Sequence, residues 1–135
     1  MIRVLIVDDH PIISAGVQAL VGDQPDLEVT GCAPDGETAV LMAREDPPDV
    51  VVMDLSMRGM GGIAATSAIL TEHPSVHVLV LTWHADPARV RGALAAGATG
   101  YLLKDADHEE LLEAIRAVHR GESRVSAMIT RAMTS

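Results

Sequence analysis

Two apolar stretches of this sequence end in acidic residues. The run at 4–7 leads into Asp8 and Asp9, and the run at 50–53 leads into Asp54. Each run has the length and continuous apolar character of a strand that is buried on both faces of a parallel sheet. Parallel neighbours would bring the three carboxylates to one edge of the sheet, where their charges repel. A hard divalent cation would offset this repulsion, so the pattern predicts a site for phosphate chemistry.

Two further polar residues follow apolar runs later in the chain. Thr82 ends the run at 77–82, and Lys104, the only lysine, follows the run at 99–103. Ligands of open α/β sheets bind beyond the carboxyl ends of the strands. An ammonium and a hydroxyl can hold phosphoryl oxygens, and a carboxylate can act as a nucleophile toward phosphorus. Each residue alone is typical of a cap, a strand or a solvated loop, but the ordered set predicts an aspartyl phosphate.

An alternation of strands and helices would position these residues. The apolar runs predict strands at 3–8, 28–33, 49–53, 77–82 and 99–103. Helical periodicity, with caps such as Asp86 and Asp107, predicts helices at 11–22, 36–46, 62–73, 87–96 and 108–120. In the first helix, Ile12, Ile13 and Val17 are expected to face inward. The alternation implies right-handed crossovers and a doubly wound α/β fold.

Composition limits the class of protein. The 135 residues correspond to about one domain. The chain is 48% hydrophobic but only 1% aromatic, which predicts an aliphatic core. A net charge of −9 argues against direct binding to nucleic acid or to an anionic membrane. The single cysteine, the absence of a long apolar stretch and an N-terminus that turns acidic within nine residues lead us to expect a cytoplasmic protein.

At this point the sequence resembles the receiver domain of bacterial two-component response regulators. The matching stretches lie at 4–10, 49–57, 80–82 and 97–105, and the resemblance covers 1–121. The segments DHP at 9–11 and GYLLKD at 100–105 are most similar to the LuxR-type, NarL-like subfamily. The resemblance implies a flavodoxin-like (βα)5 fold with a five-stranded parallel sheet in the order 2-1-3-4-5.

The resemblance also implies a role for each acidic residue. Asp54 would be the phosphoacceptor. Mg²⁺, or Mn²⁺, would be bound directly by Asp9 and Asp54, through water by Asp8, and by the backbone carbonyl of Ser56. The chain would catalyse only its own phosphorylation and dephosphorylation.

A switch and several partners are implied in the same way. Thr82 and Lys104 would hold the phosphoryl oxygens. Thr82 would then move toward the phosphate while the ring of Tyr101 turns inward behind it, which changes the face formed by strand 4, helix 4 and strand 5. The donor would be a sensor histidine kinase. A homodimer would form through helix 1 and helix 5, or through the strand 4–helix 4–strand 5 face.

Three features depart from the pattern of the family. Asp105 follows Lys104 where many receivers have a proline in a cis bond, and we expect a trans bond here. The loop after Asp54 reads MRGMGG at 57–62, where relatives usually have MPGMDG. Losing a proline and gaining a glycine predicts a looser loop. Trp83 follows Thr82 where many relatives carry a smaller residue, and we expect its ring to restrict access of small phosphodonors.

The sequence leaves alternatives open for what the domain controls and for the class of protein. We expect control of transcription through a C-terminal DNA-binding domain that is absent from this chain, with 122–135 as a linker stub or a short helix. A stand-alone or degenerate receiver that acts through protein contacts is the main alternative. A haloacid-dehalogenase-like phosphatase would need an acid where Ser56 stands, and a flavodoxin-like nucleotide binder would need a phosphate-cradling loop where Asp8 and Asp9 stand. His10, His84 and His108 also leave a transition-metal site as a weaker alternative.

Overall fold

The computed structural model describes residues 1–57, 59–83 and 86–125. Its strands are β1 (Ile2–Val7), β2 (Leu27–Ala33), β3 (Val50–Asp54), β4 (His77–Thr82), β5 (Gly100–Leu103) and β6 (Arg124–Val125). Its helices are α1 (Pro11–Gly22), α2 (Gly36–Glu45), α3 (Gly62–Glu72), α4 (Pro87–Ala95) and α5 (His108–His119). All ten predicted elements are present, with ends within one residue of the expectation. No helix in these ranges is both long and apolar enough to cross a membrane.

The strands form one parallel sheet in the order β2-β1-β3-β4-β5-β6. The order of the first five strands confirms the flavodoxin-like, doubly wound prediction. The sixth strand was not predicted. Gly121, with φ of 82°, ends α5 and turns the chain back, so that Arg124 and Val125 pair with β5. The expected linker or helix at 122–135 therefore begins with a short strand, and 126–135 lie outside the described residues.

A buried aliphatic layer lies on each face of the sheet. Alternate residues of β1 and β3 contribute to one layer or the other, and both strands are buried along most of their length. The expectation that Ile12 faces inward was wrong, since this side chain is 89% exposed. Ile13, Val17 and Val21 follow the helical period and form the inward stripe, and Ile12 lies one position outside it.

Local capping sets where the helices next to the site begin. Asp86 Oδ1 accepts from the backbone N–H of Ala88 at 3.1 Å, and Asp107 Oδ1 accepts from that of Glu110 at 2.8 Å. Both predicted caps are confirmed. These bonds satisfy backbone donors that a helix leaves free in its first turn, and they fix the starts of α4 and α5 at Pro87 and His108.

Candidate functional site

The carboxyl ends of β1 and β3 bring the predicted acids together. Asp8 directly follows β1 and Asp54 is the last residue of β3, and the register pairs Val7 with Met53. One ligand atom from each of Asp8, Asp9, His10 and Asp54 lies within 4.8 Å of the others. Asp8 is 7% and Asp54 2% exposed. Two of the carboxylates are therefore largely removed from water.

Lys104 lies between the two buried carboxylates. Its Nζ is 3.0 Å from Asp8 Oδ2 and 3.2 Å from Asp54 Oδ1, and its side chain is 1% exposed. Its backbone N–H donates to the Thr82 carbonyl at 2.6 Å, which joins the end of β5 to β4. One amino group therefore faces a cluster of three carboxyl groups.

His10 also enters the acidic cluster. Its Nδ1 lies 2.9 Å from Asp8 Oδ1, 3.0 Å from Asp9 Oδ1 and 3.9 Å from Asp54 Oδ2. Its backbone N–H donates to Asp8 Oδ1 at 2.8 Å. Of the three histidines proposed from the sequence, His108 is not part of the described cluster and His84 lies outside the described residues.

Two oxygens of the cluster have unused acceptor capacity. Asp9 Oδ1 and Asp54 Oδ2 are buried and make no hydrogen bond within the described part of the chain. Buried carboxylate oxygens normally have partners, and carboxylate oxygens are the preferred ligands of hard divalent cations. The cluster could therefore hold a metal ion, and its donors fit Mg²⁺.

The loop between β3 and α3 is tied to two helices. The Ser56 N–H donates to Asp54 Oδ1 at 3.2 Å, and Ser56 Oγ accepts from Arg89 Nη1 at 2.8 Å. Further along, the Met60 N–H donates to Glu37 Oε1 at 2.8 Å. Arg89 lies on α4 and Glu37 on α2. Neither contact was predicted, because both depend on long side chains that reach across the tertiary structure.

Gly62 lets α3 begin against the end of β3. A Cβ at this position would collide with the Asp54 carbonyl oxygen and would lie 2.8 Å from Leu55 Cα. No side chain fits between these backbones, so glycine here is a requirement of close approach. The backbone of Asp54 is thereby positioned by the start of α3.

The proposed switch residues are adjacent and buried. Thr82 ends β4 with 2% exposure, and Tyr101 on β5 is fully buried. The Tyr101 hydroxyl makes no hydrogen bond to the residues described. Burial raises the pKa of the Tyr101 phenol, and the nearby Thr82 hydroxyl acts in the opposite direction. The ring is directed inward in this structure.

Trp83 covers the ammonium of Lys104. The Trp83 side chain is 51% exposed, and its ring centroid is 5.8 Å from Lys104 Nζ. A cation over an aromatic face at this distance is attracted by the ring quadrupole. The indole therefore lies beside the Lys104 ammonium, one residue beyond the end of β4.

The fold and this set of residues define a class of protein, and comparison with known proteins agrees. The sequence matches the response regulator receiver domain family over residues 4–116. The chain belongs to that family, as the sequence predicted, and is a receiver domain of the two-component type.

Individual relatives indicate which kind of response regulator the chain resembles. The chain is 43% identical over 129 residues to the transcriptional regulatory protein LiaR of Bacillus subtilis, an alignment that covers 96% of this chain and 61% of LiaR. It is 43% identical over 132 residues to the response regulator GacA of Pseudomonas protegens, with 97% and 62% covered. A LuxR-family two-component response regulator from Aurantimonas superposes with a TM-score of 0.93 at 37% identity, covering 99% of this chain and 96% of that chain. The chain thus spans about three fifths of the length of LiaR and of GacA.

Proposed function

We propose that this chain takes a phosphoryl group onto Asp54 from a phosphohistidine of a sensor kinase. The observation that carries the proposal is the environment of Asp54. Its buried carboxylate lies at a strand end, 3.2 Å from a buried ammonium, with one oxygen unpartnered. This arrangement supplies a nucleophile together with a cation for the group that is transferred.

The transfer is a displacement at phosphorus. A carboxylate oxygen of Asp54 attacks the phosphorus atom, and the bond from phosphorus to the imidazole nitrogen of the donor breaks. That nitrogen keeps the electron pair and takes a proton from water. Lys104 Nζ and the Thr82 hydroxyl are the donors that hold the phosphoryl oxygens. Both are buried at the ends of neighbouring strands, so little reorganisation is needed.

A metal ion belongs to the same proposal. Asp9 and Asp54 would bind Mg²⁺ or Mn²⁺ directly, Asp8 through water, and the Ser56 backbone carbonyl would complete the protein ligands. Asp54 Oδ2 makes no hydrogen bond among the described residues, and Asp9 Oδ1 makes none either although His10 Nδ1 lies 3.0 Å away, so the free acceptor capacity of both oxygens supports this assignment. When bound, the cation neutralises charge and polarises the phosphoryl group.

Phosphorylation would act on Thr82 and Tyr101 as a switch. The added charge draws the Thr82 hydroxyl toward the phosphoryl group, and the Tyr101 ring, which is already directed inward in this structure, shifts further into the space behind it. The two residues are neighbours, and the Tyr101 hydroxyl has no partner in the described chain. The face formed by β4, α4 and β5 then changes shape.

The relatives support a proposal for the output of the domain. LiaR is a transcriptional regulatory protein, and this chain aligns with three fifths of its length. We propose that the switch controls a separate DNA-binding domain and that the protein acts in the cytoplasm. The kinase would contact α1 and the loop after β5. A homodimer would form through α1 with α5, or through the β4–α4–β5 face. The 89% exposed Ile12, beside the acidic cluster, supports a docking role for α1. A stand-alone receiver remains the second candidate.

The nucleophile is tested by substitution. We expect Asp54→Asn to abolish acid-labile labelling by a phosphorylated sensor kinase or by acetyl phosphate, because an amide is not a nucleophile toward phosphorus. Asp23→Asn, at an exposed position beyond α1, is the matched control and should label like wild type. Full labelling of Asp54→Asn would show that the nucleophile lies elsewhere.

A further inference from the structure

One cation of α4 reaches the phosphoacceptor loop. Arg89 lies in the first turn of α4, and its Nη1 donates a hydrogen bond of 2.8 Å to Ser56 Oγ. The Ser56 N–H in turn donates to Asp54 Oδ1 at 3.2 Å. Two hydrogen bonds through Ser56 therefore connect the guanidinium on α4 to the carboxylate on β3.

The contact of Arg89 with Ser56 joins a full positive charge to a neutral hydroxyl. Both residues are exposed to water, so this hydrogen bond contributes little to stability. A phosphoryl group carries nearly two negative charges and forms stronger, charge-assisted hydrogen bonds with a guanidinium. The side chain of Arg89 is therefore better matched to a phosphorylated Asp54 than to Ser56.

The helix that carries Arg89 is lightly anchored. Only Val90 and Ala93 of α4 are buried. Arg89 also lies near the switch tyrosine. Burial raises the pKa of Tyr101, and the charge of Arg89 acts in the opposite direction. Arg89 is thus connected to Asp54 through Ser56 and lies near Tyr101, and it belongs to a helix that few buried side chains hold in place.

We propose that Arg89 is a phosphoryl-binding residue that exchanges Ser56 Oγ for a phosphoryl oxygen when Asp54 is phosphorylated, and that this exchange moves α4. The inference rests on the proposed phosphorylation of Asp54 and adds to it a contact from the output face. No covalent bond changes in the exchange. The proposed exchange predicts opposite effects of substituting Arg89 and Ser56. Removing the Arg89 guanidinium weakens phosphoryl binding, whereas removing the Ser56 hydroxyl frees the guanidinium to bind the phosphoryl group.

Beryllofluoride with Mg²⁺ tests the exchange, because it imitates the phosphoryl group without chemistry. Binding to the whole chain is followed by the fluorescence of Trp83, the only tryptophan. We expect Arg89→Gln to weaken binding roughly three- to tenfold and to remove the response of α4 amide hydrogen exchange to beryllofluoride. Arg89→Lys should keep part of both, and Ser56→Ala should bind at least as tightly as wild type.

Arg91→Gln is the matched control, since it removes the same charge from an exposed position of α4. We expect it to bind beryllofluoride like wild type. Equal affinity of Arg89→Gln and wild type would overturn the inference, as would an equal loss in Arg91→Gln, which would indicate only a long-range charge effect. Failure of the wild-type chain to bind beryllofluoride would instead contradict the phosphoryl site itself.

Discussion

The two carboxylate oxygens of Asp54 have unequal surroundings. Oδ1 accepts a hydrogen bond from Ser56 and lies 3.2 Å from Lys104 Nζ, whereas Oδ2 has no hydrogen bond among the described residues. A buried carboxylate with one unsatisfied oxygen is costly unless a cation, water or ligand approaches it. The unequal surroundings therefore fit the proposed role of Asp54, because Oδ2 is free to accept an incoming group while Oδ1 is held in place.

Strand ends are where single residues could be predicted from the sequence. Asp8, Asp54, Thr82 and Lys104 each follow an apolar run, so the chain topology alone brings them to one edge. Side chains that reach the site from helices could not be predicted, because a helical Arg such as Arg89 has no local signal for its distant partner. The same limit applies to the orientation of any side chain at the start of a helix.

Trp83 gives a prediction about phosphodonor access. Its half-exposed ring has its centroid 5.8 Å from Lys104 Nζ, near the outer limit for a cation–π contact, so the contact contributes about 0.5–1 kcal/mol. If a donor must separate the ring from Lys104, this free energy adds to the activation barrier of phosphorylation. We therefore expect Trp83→Ala to react roughly two- to fivefold faster than wild type with acetyl phosphate. Trp83→Phe, which keeps an aromatic face, should remain close to wild type. Equal rates for Trp83→Ala and wild type would contradict the gating role.

Tyr101 gives a prediction about alkaline pH. Burial raises its pKa above the ordinary 10.0, with the Thr82 hydroxyl and Arg89 opposing in part. The folded state then keeps the phenol proton longer than the unfolded state. The contribution of this group to stability is therefore complete below about pH 10 and is lost as the pH rises toward the folded pKa.

The single tyrosine of the chain makes this pKa directly measurable. We expect the tyrosinate absorbance of the folded protein to appear at higher pH than that of the protein unfolded in urea. Tyr101→Phe should abolish the signal. A midpoint at or below that of the unfolded chain would show that the ring is not buried as described.

The helices and strands followed local signals closely. Pro11 and Pro87 at helix starts, and Asp107 as a cap, placed the predicted ends within one residue of the observed ones. β6 was not predicted, because a strand of two residues is too short to show a periodic pattern of apolar residues. Its pairing with β5 also depends on residues that are distant in the sequence. The predicted loosening of the β3–α3 loop stays a prediction, and Glu37 of α2 supplies a restraint on this loop that the loop sequence does not contain.

Glu37 gives a prediction at this scale. Its carboxylate accepts from the Met60 N–H at 2.8 Å, so we expect Glu37→Ala to speed hydrogen exchange of the Met60 amide and to lower the free energy of unfolding by about 0.5–1 kcal/mol. Glu45→Ala, at the other end of the same helix, should leave Met60 exchange unchanged. Unaltered exchange in Glu37→Ala would mean that the loop is held by its own backbone.

The whole molecule depends on a sheet that is buried on both faces and packed closely at its β5–β6 edge. A Cβ at Gly100 would lie 2.9 Å from the Arg124 carbonyl oxygen, from Leu79 Cδ1 and from Val118 Cγ1. Gly16, on α1, has no atom within 4 Å of the same construction. Gly100 of β5 is thus closely packed by other parts of the molecule, whereas Gly16 of α1 has open space beside it.

Gly100→Ala should lower the free energy of unfolding by about 1–3 kcal/mol, because the added methyl group has no space. Gly16→Ala should raise it by about 0.5–1 kcal/mol, since alanine favours the helix. Urea denaturation followed by circular dichroism measures both. Stabilisation by Gly100→Ala would show that the β5–β6 edge is not closely packed.

Phosphorylation of Asp54 is the central claim, and mass spectrometry of the whole chain tests it most directly. The chain is incubated with acetyl phosphate in Mg²⁺ or in EDTA, and the mass of the intact protein and of its peptides is then recorded. We predict a mass increase of one phosphoryl group per chain in Mg²⁺ alone, located on the peptide that contains Asp54 and lost on acid treatment. An unchanged mass in Mg²⁺, or a phosphoryl group on another residue, would contradict the account.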